Sequence, residues 1–257
     1  MQAAIHTQDR SFNYGDGLFT TMQVRGGKIQ LWPLHLQRLQ LGATTLGFGD
    51  IDWFALQRQA EAAVTLTQQV IKILISRGEG GRGYACQDVS QPRIYISSSA
   101  MPDYTMAQRL GVQLSTARLQ LGIQPLLAGL KHNNRLEQVL LKQELAQTDA
   151  DDLLVLDQQG FITEATAANV FFYRSGNWYT PELTRAGVNG VMRQHIMQQH
   201  RKQLLDIAEV SWRLNELANV EAMFICNALM GIVPVKSINN LELTLLPVQQ
   251  LQQKLNA

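Results

Sequence analysis

The chain has 257 residues, of which 46% are hydrophobic and 17% charged, and its formal net charge is +1. Such a balanced charge argues against a nucleic-acid-binding protein, which usually carries a basic face or stripe. Cys86 and Cys226 lie far apart in the sequence, so neither a disulfide framework nor a cysteine metal cluster is expected. The N-terminal segment lacks the apolar core of a signal peptide, and no apolar run is long enough to span a bilayer. We therefore expect an unprocessed, soluble cytoplasmic protein.

The first half of the chain has the pattern of a strand-rich unit with two helices. Residues 18–32 predict a β-hairpin around a glycine-containing turn. Pro33 opens a predicted helix that Gly47 ends, and a second helix is expected over residues 53–66. Segments rich in Val and Ile predict strands over residues 70–76, 93–98 and 112–117.

The segment 119–130 has little periodicity and contains two glycines and a proline, which indicates a linker. It would join an N-terminal α/β domain, residues 1–118, to a C-terminal domain, residues 131–257. In that second domain, apolar spacing and turn signals predict further elements. They are helices over 134–146 and 190–205, strands over 153–156, 161–164, 170–173, 178–180 and 222–227, and a C-terminal helix from residue 247. This order predicts an α+β (mixed α/β) fold with two domains.

Residues 78–83 match the dinucleotide-binding pattern G-x-G-x-x-G. That pattern requires a helix directly afterwards, whereas here a short polar segment leads into the strand at Arg93. A glycine-rich loop between two strands is therefore the better interpretation. Arg77 and Arg82 lie on this loop, and an arginine fork matches a carboxylate. A solvated arginine is the alternative, and the sequence alone favours it slightly.

The five histidines do not predict a metal site. His195 and His200 are five residues apart on a predicted helix and point to different faces. His35 and Arg38 are three apart and share a face, a pairing that is more often structural than catalytic.

Three other features suggest chemistry. Lys131 has the apolar neighbours Leu126, Leu127 and Leu130, which could partly desolvate its amine, as a Schiff-base lysine requires. Glu164 ends an apolar strand and precedes small residues, so a buried carboxylate paired with a pyridinium nitrogen is one interpretation. A surface lysine and a strand-edge glutamate are the alternatives.

The third feature is the stretch 187–193, which opens a helix whose free N–H groups form a ready anion site. Asn189 is the expected N-terminal cap of that helix. An ordinary capped helix start and an anion site are compatible interpretations.

Together and in this order, the motifs resemble the fold-type IV pyridoxal-phosphate enzymes, the class IV aminotransferase family. This group includes the branched-chain and D-amino-acid aminotransferases and the 4-amino-4-deoxychorismate lyases. The resemblance covers nearly the whole chain, beginning with Asp9 and Arg10 and the stretches 14–19 and 35–39. Four stretches look most like the lyases: residues 76–84, 130–136, 163–171 and 226–235.

The resemblance implies pyridoxal 5'-phosphate as the cofactor and a fold like that of the D-amino-acid aminotransferases. Lys131 would be the catalytic residue that binds the cofactor, and Glu164 would keep the pyridine nitrogen protonated. Arg38 would contact the phosphate. The other matched phosphate-cup positions, which would act largely through backbone donors, are Val191, Met192 and Ala228. Phe19 and Arg82 match substrate-facing positions.

Two departures from the aminotransferase pattern weaken that assignment. Met192 and Ala228 stand where aminotransferases usually have Thr, so hydroxyl contacts to the phosphate are lost. Phe19 stands where the D-amino-acid enzyme has Tyr, so a hydroxyl facing the substrate is lost as well.

The activity that the resemblance implies is β-elimination of 4-amino-4-deoxychorismate to 4-aminobenzoate and pyruvate, a step of folate synthesis. The alternative activity is transamination of a D- or branched-chain amino acid. An alternative from another class is a non-catalytic small-molecule-binding protein, which would need neither Lys131 nor Glu164. The resemblance further implies a homodimer with active sites near the interface.

Overall fold

The structure is a computed structural model that describes residues 5–80, 83–87, 89, 91–202 and 205–255. The chain forms two compact units. The first comprises Met1–Pro102 and Leu130–Arg135, and the second comprises Asp103–Gly129 and Leu136–Ala257. The domain bounds expected from sequence differ from these units in where they place residues 103–118 and 131–135, and they stay a prediction.

The first unit is an antiparallel sheet covered by two helices. Its elements are α1 (Arg10–Tyr14), β1 (Gly17–Arg25), β2 (Lys28–Ile29), α2 (Trp32–Thr45), α3 (Trp53–Ala62), β3 (Gln68–Ser76) and β4 (Arg93–Ser99). The described strands are ordered β2-β1-β3-β4. Alternate residues of β1 and β3 face one side, so Leu18, Met22 and Ile73 pack with Leu39 of α2 and Leu56 of α3 in one buried cluster.

The second unit is built on one large mixed sheet. Its elements are α4 (Thr105–Leu110), β5 (Val112–Thr116), α5 (Leu136–Leu145), β6 (Asp152–Leu156), β7 (Ile162–Ala165), β8 (Asn169–Arg174), β9 (Asn177–Pro181), α6 (Val191–Arg201), β10 (Ile207–Val210), a 3-10 helix (Leu214–Asn219), β11 (Ala222–Asn227), β12 (Gly231–Ile238), β13 (Leu241–Glu242) and α7 (Leu246–Leu255). The described strands run β10-β9-β8-β11-β12-β5-β6-β7, and β13 pairs with β12. The pairs β9–β10, β5–β12 and β5–β6 are parallel, and the others are antiparallel.

The predicted mixed α/β class is confirmed, and so are the hairpin at the start of the chain and the strand over 222–227. The predicted second helix is too long, because α3 ends at Ala62. The buried side chain of Gln69 accepts hydrogen bonds from the amides of Thr65 and Leu66 and donates to the carbonyl of Ala63. These bonds fold residues 63–66 into a turn instead of a further helical turn.

The strand β12 was not predicted, since Pro234 interrupts its sequence and prolines are rare inside central strands. Pro234 pairs with Phe224 of β11, and the pairing of β12 with β5 begins only at Val235. The proline therefore lies where no hydrogen bond to β5 is required. Among the described residues, no helix is both long and apolar enough to cross a membrane.

Candidate active site

Lys131 lies in a short extended segment that pairs with the start of β1. The amide of Phe19 donates to the carbonyl of Lys131 at 3.0 Å, and the amide of Asn133 donates to the carbonyl of Gly17 at 2.9 Å. His132 and Leu18 form a bridge between these two bonds. The Lys131 amine lies 4.6 Å from the centroid of the Phe19 ring. The sequence-predicted lysine and Phe19 are thus neighbours.

Two asparagine side chains that follow Lys131 in the sequence hold the backbone of this segment in place. Asn133 Nδ2 donates to Ser11 Oγ at 2.6 Å, and Asn134 Nδ2 donates to the carbonyl of Gly15 at 3.2 Å. Gly15 has φ +65°, and a Cβ there would lie 2.2 Å from Asn134 Oδ1. A glycine is therefore required at position 15 both for its backbone conformation and for the close approach of Asn134.

The imidazole ring of His132, the residue after Lys131, is neutral at neutral pH. Burial, and then the charges of Arg135 and Lys131, lower the pKa of His132 to about 4. Arg135 Nε donates to the carbonyl of His132 at 2.8 Å, which keeps that positive charge close. At neutral pH, His132 therefore adds no positive charge beside the lysine.

Arg38 is a buried arginine on α2. Its Nη2 donates to Thr20 Oγ1 at 2.6 Å and lies 3.3 Å from His35 Nδ1. Thr20 Oγ1 and His35 Nδ1 are 2.6 Å apart. Burial lowers the pKa of Arg38 to about 10, so the guanidinium stays charged at neutral pH. Its buried Nε has no hydrogen-bond partner among the described residues.

Arg77 has a structural role. Its Nε donates to Asp16 Oδ2 at 2.7 Å, and its terminal nitrogens donate to the carbonyls of Gly47 and Leu46 at 2.8 and 2.7 Å. Arg10 Nε donates to the same Asp16 oxygen at 2.8 Å. Arg77 is buried and its guanidinium is used within the first unit, so the interpretation of a solvated arginine, which the sequence favoured slightly, is wrong for this residue. Arg82 lies outside the described residues.

Glu164 is buried on β7, which agrees with the interpretation of a buried carboxylate and not with that of a surface glutamate. Its Oε2 accepts a hydrogen bond from the amide of Val188 at 2.8 Å. Gly187 has φ +85°, and a Cβ there would lie 2.6 Å from Thr163 Cγ2 and 3.3 Å from Glu164 Oε2. The chain can therefore pass this closely to the carboxylate only because residue 187 is a glycine.

The loop after Gly187 is held by Asn169 and by Gly129. Asn169 Nδ2 donates to the carbonyl of Val188 at 2.7 Å, and its Oδ1 accepts from the amide of Gly190 at 3.1 Å. Gly129 donates to the carbonyl of Gly187 at 2.9 Å and accepts from the amide of Asn189 at 3.0 Å. The loop that contacts Glu164 is the same loop that starts α6.

The start of α6 presents backbone donors. Its N-cap is Gly190, and no side chain caps it in this part of the structure. The expectation that Asn189 caps the helix is wrong, because Asn189 Oδ1 instead accepts from Arg193 Nη1 at 3.1 Å. The amides of Val191 and Met192 therefore lie at an uncapped, positively polarised helix end, which suits a phosphate. The anion site expected from residues 187–193 stays a prediction.

Ala228 lies in a tight turn between β11 and β12. Asn227 Oδ1 accepts from the amides of Leu229 and Met230, each at 2.9 Å, and so closes the turn. Ala228 itself is half-buried in this turn. Its methyl group cannot donate a hydrogen bond, so Ala228 could bind an anion only through its backbone amide.

These residues fit a pyridoxal phosphate by their chemistry. Among the residues that the structure describes, nothing accepts a hydrogen bond from Nε of the buried Arg38 and no side chain caps α6, so both places suit an anion. Glu164 is a buried carboxylate, which suits a protonated ring nitrogen. In the described part of the chain, no group of three His, Cys, Asp or Glu side chains could hold a metal ion.

Sequence reasoning missed two supporting residues, Thr20 and Asn169. Thr20 was hidden inside an alternating strand, and its partner His35 is fifteen residues away. Asn169 begins β8 after a run of small residues, and its role depends on a loop about twenty residues later. An asparagine at a strand start facing an apolar interior is a signal worth following, since a buried amide needs partners.

Comparison with known proteins identifies related chains. The amino-transferase class IV family matches residues 17–238. An aminodeoxychorismate lyase from Vibrio harveyi is 38% identical over 240 residues, which are 93% of this chain and 89% of that protein. A D-alanine aminotransferase from Bacillus licheniformis is 24% identical over 93% of this chain and 84% of its own. The crystal structure of 4-amino-4-deoxychorismate lyase from Pseudomonas aeruginosa superposes with a TM-score of 0.92 at 35% identity, covering 100% of this chain and 97% of that one. The resemblance expected from the motifs is thereby confirmed.

Proposed function

The chain belongs to the amino-transferase class IV family, and from this premise we propose that it is a pyridoxal-phosphate-dependent lyase. Its substrate is 4-amino-4-deoxychorismate, and its products are 4-aminobenzoate and pyruvate, as in folate synthesis. The observation that supports this choice most is the 38% identity to an aminodeoxychorismate lyase over 93% of the chain. The D-alanine aminotransferase is more distant, at 24%.

The residues that would hold the cofactor have separate tasks. Lys131 would bind it covalently, Glu164 would pair with its ring nitrogen, and Arg38 would bind its phosphate together with the backbone of Val191, Met192 and Ala228. Bound pyridoxal phosphate supplies an electron sink for the electron pair left on the substrate carbon when a proton is removed. Because Glu164 is buried and anchored by Val188, its negative charge has one fixed position from which to act.

Lys131 moves the protons of the reaction in this proposal. Its amine takes the proton from the amine-bearing carbon of the substrate. The bond between the neighbouring carbon and the enolpyruvyl oxygen then breaks, and Lys131 returns a proton to the departing group. The ring becomes aromatic and the departing group becomes pyruvate. The two products together contain all the atoms of the substrate. The amine would act beside the Phe19 ring, whose centroid lies 4.6 Å from it.

The experiment that tests the proposal supplies chorismate, glutamine and an amidating synthase, and then measures products with and without this protein. We expect 4-aminobenzoate and pyruvate in equal amounts, both dependent on this protein. A parallel reaction with D-alanine and a 2-oxo acid tests the alternative, transamination. Pyruvate from D-alanine without 4-aminobenzoate from the first mixture would replace the lyase by an aminotransferase.

The proposal extends to assembly and location. One face of α5 exposes Leu136, Val139 and Leu140, spaced i, i+3 and i+4, and Leu126 is exposed as well. Exposed apolar side chains in such numbers support a homodimer, which sedimentation equilibrium would test. The free thiol of Cys86 is exposed, which supports a reducing compartment such as the cytoplasm. Fractionation of cells that produce the protein would test the location.

A further inference from the structure

Thr20, His35 and Arg38 form a buried cluster. Arg38 is its cation, Thr20 is uncharged, and His35 can be neutral. Thr20 and His35 have almost no exposed surface, and Arg38 is 9% exposed. Among the described residues of the first unit, no carboxylate forms an ion pair with Arg38. Burying a charge without a counterion costs free energy. A bound anion next to Arg38 would offset that cost.

The donors and acceptors in the cluster determine the state of His35. A guanidinium can only donate, so an Nδ1 atom 3.3 Å from Arg38 Nη2 must present a lone pair. Thr20 Oγ1 accepts from Arg38 Nη2 and can then donate its own proton to His35 Nδ1, 2.6 Å away. This chain of bonds is complete only when the His35 ring is neutral. Burial and the Arg38 charge hold the pKa of His35 well below its usual value, in agreement.

The geometry points to Thr20 and His35 as positioning residues that hold the Arg38 guanidinium for the cofactor phosphate, with His35 neutral so that the phosphate is the counterion. Thr20 fixes one terminal nitrogen of the guanidinium. Nε keeps its hydrogen for another acceptor, since it has no partner in the described part of the chain. This inference rests on the proposed use of pyridoxal phosphate.

The variants that test this inference change the hydrogen bonding or the charge of a side chain, and each comparison is made between side chains of similar size. Thr20→Val removes the hydroxyl at nearly constant volume, and Thr20→Ser restores it. His35→Asp places a carboxylate oxygen near the position of Nδ1, where it would pair with Arg38, while His35→Asn places a neutral acceptor there. Ser76→Ala is the control for deletion of a buried hydroxyl in the same unit, because Ser76 Oγ instead donates to Asp9 Oδ1 at 2.6 Å.

Each cofactor-free protein is titrated with pyridoxal phosphate and, separately, with pyridoxal, which lacks the phosphate. The melting temperature of the cofactor-free protein is recorded with and without inorganic phosphate. Thr20→Val should raise the Kd of pyridoxal phosphate by roughly tenfold or more, as expected for a lost bond to a charged group, and leave that of pyridoxal unchanged. Thr20→Ser should recover most of the affinity. His35→Asp should bind pyridoxal phosphate at least about tenfold more weakly than His35→Asn, and should lose the stabilisation by inorganic phosphate.

Two results overturn the inference. One is a Thr20→Val variant that keeps the parent's ratio of pyridoxal phosphate to pyridoxal affinity. The other is equal affinity in His35→Asp and His35→Asn, a comparison that holds even if Thr20→Val does not fold. Failure of the parent protein to bind pyridoxal phosphate at all would refute the proposed function itself and is therefore distinguishable.

Discussion

Asn169 occupies the space that a side chain at position 190 would need. A Cβ built on Gly190 lies 2.1 Å from Asn169 Oδ1, the oxygen that accepts the amide hydrogen of Gly190. The amide nitrogen of the same asparagine donates to the carbonyl of Val188, whose own amide donates to Glu164. One asparagine therefore links the position of the buried carboxylate to the start of α6.

We predict that Gly190→Ala weakens cofactor binding by about tenfold or more. The new methyl group must push Asn169 away, and overpacking of this kind costs about 1–3 kcal/mol. Gly49→Ala is the control, since the nearest described atom to a Cβ there is Pro92 Cδ at 3.8 Å. Cofactor titration and thermal unfolding of both variants check the prediction, and indistinguishable behaviour of the two would refute the role given to Asn169.

Arg38→Ala should raise the Kd of the cofactor strongly, because a charge-assisted hydrogen bond contributes about 1.5–3 kcal/mol. Arg38→Lys should rescue only part of the affinity, since the three donors of an ammonium lie on one nitrogen and cannot occupy both the Nη2 position that bonds to Thr20 and the separate Nε position. Equilibrium dialysis with pyridoxal phosphate measures both. Unchanged affinity in Arg38→Ala would place the phosphate elsewhere.

Glu164→Gln should lower kcat by about 10²–10³-fold with little change in KM, because a lost charge-assisted contact of about 3–4 kcal/mol affects the transition state more than binding. The hydrogen-isotope effect on turnover should grow, because proton removal becomes more limiting. Glu144→Gln is the matched control, since Glu144 also accepts backbone amides, those of Arg118 and Leu119. Near-normal turnover in Glu164→Gln would leave Glu164 as a structural carboxylate.

The two cysteines should differ in reactivity. Cys86 is exposed, whereas Cys226 is buried on β11, and burial raises the pKa of its thiol. A thiol reagent should therefore modify one cysteine per chain in the native protein and two in denaturant. Peptide mapping that finds Cys226 modified in the native protein would show that the second unit opens easily.

The sequence allowed prediction of the fold class and of most elements whose apolar spacing is regular, such as β11 and α2. It did not allow prediction of β12 or the end of α3, because these depend on the pairing partner of Pro234 and on the side chain of Gln69. Local patterns contain no information on such distant partners.

The candidate site divides in the same way. Lys131, Glu164 and Arg38 were reached through motifs and family resemblance, and the structure gives the surroundings of each. Thr20 and Asn169 were not reached, because their importance lies in bonds to residues fifteen or more positions away. The prediction that Asn189 caps α6 was wrong, since its side-chain oxygen accepts a hydrogen bond from Arg193 instead.

The most direct test of the account is to find which lysine binds the cofactor. The purified protein, saturated with pyridoxal phosphate, is reduced with borohydride, digested and mapped by mass spectrometry. Lys142, which is half-exposed on α5, serves as the comparison lysine. We predict a pyridoxyl group on Lys131 in the parent and in Lys142→Ala, and no pyridoxyl group on any lysine of a folded, inactive Lys131→Ala. A label on Lys142 or any other lysine of the parent, with Lys131 unmodified, would contradict the account.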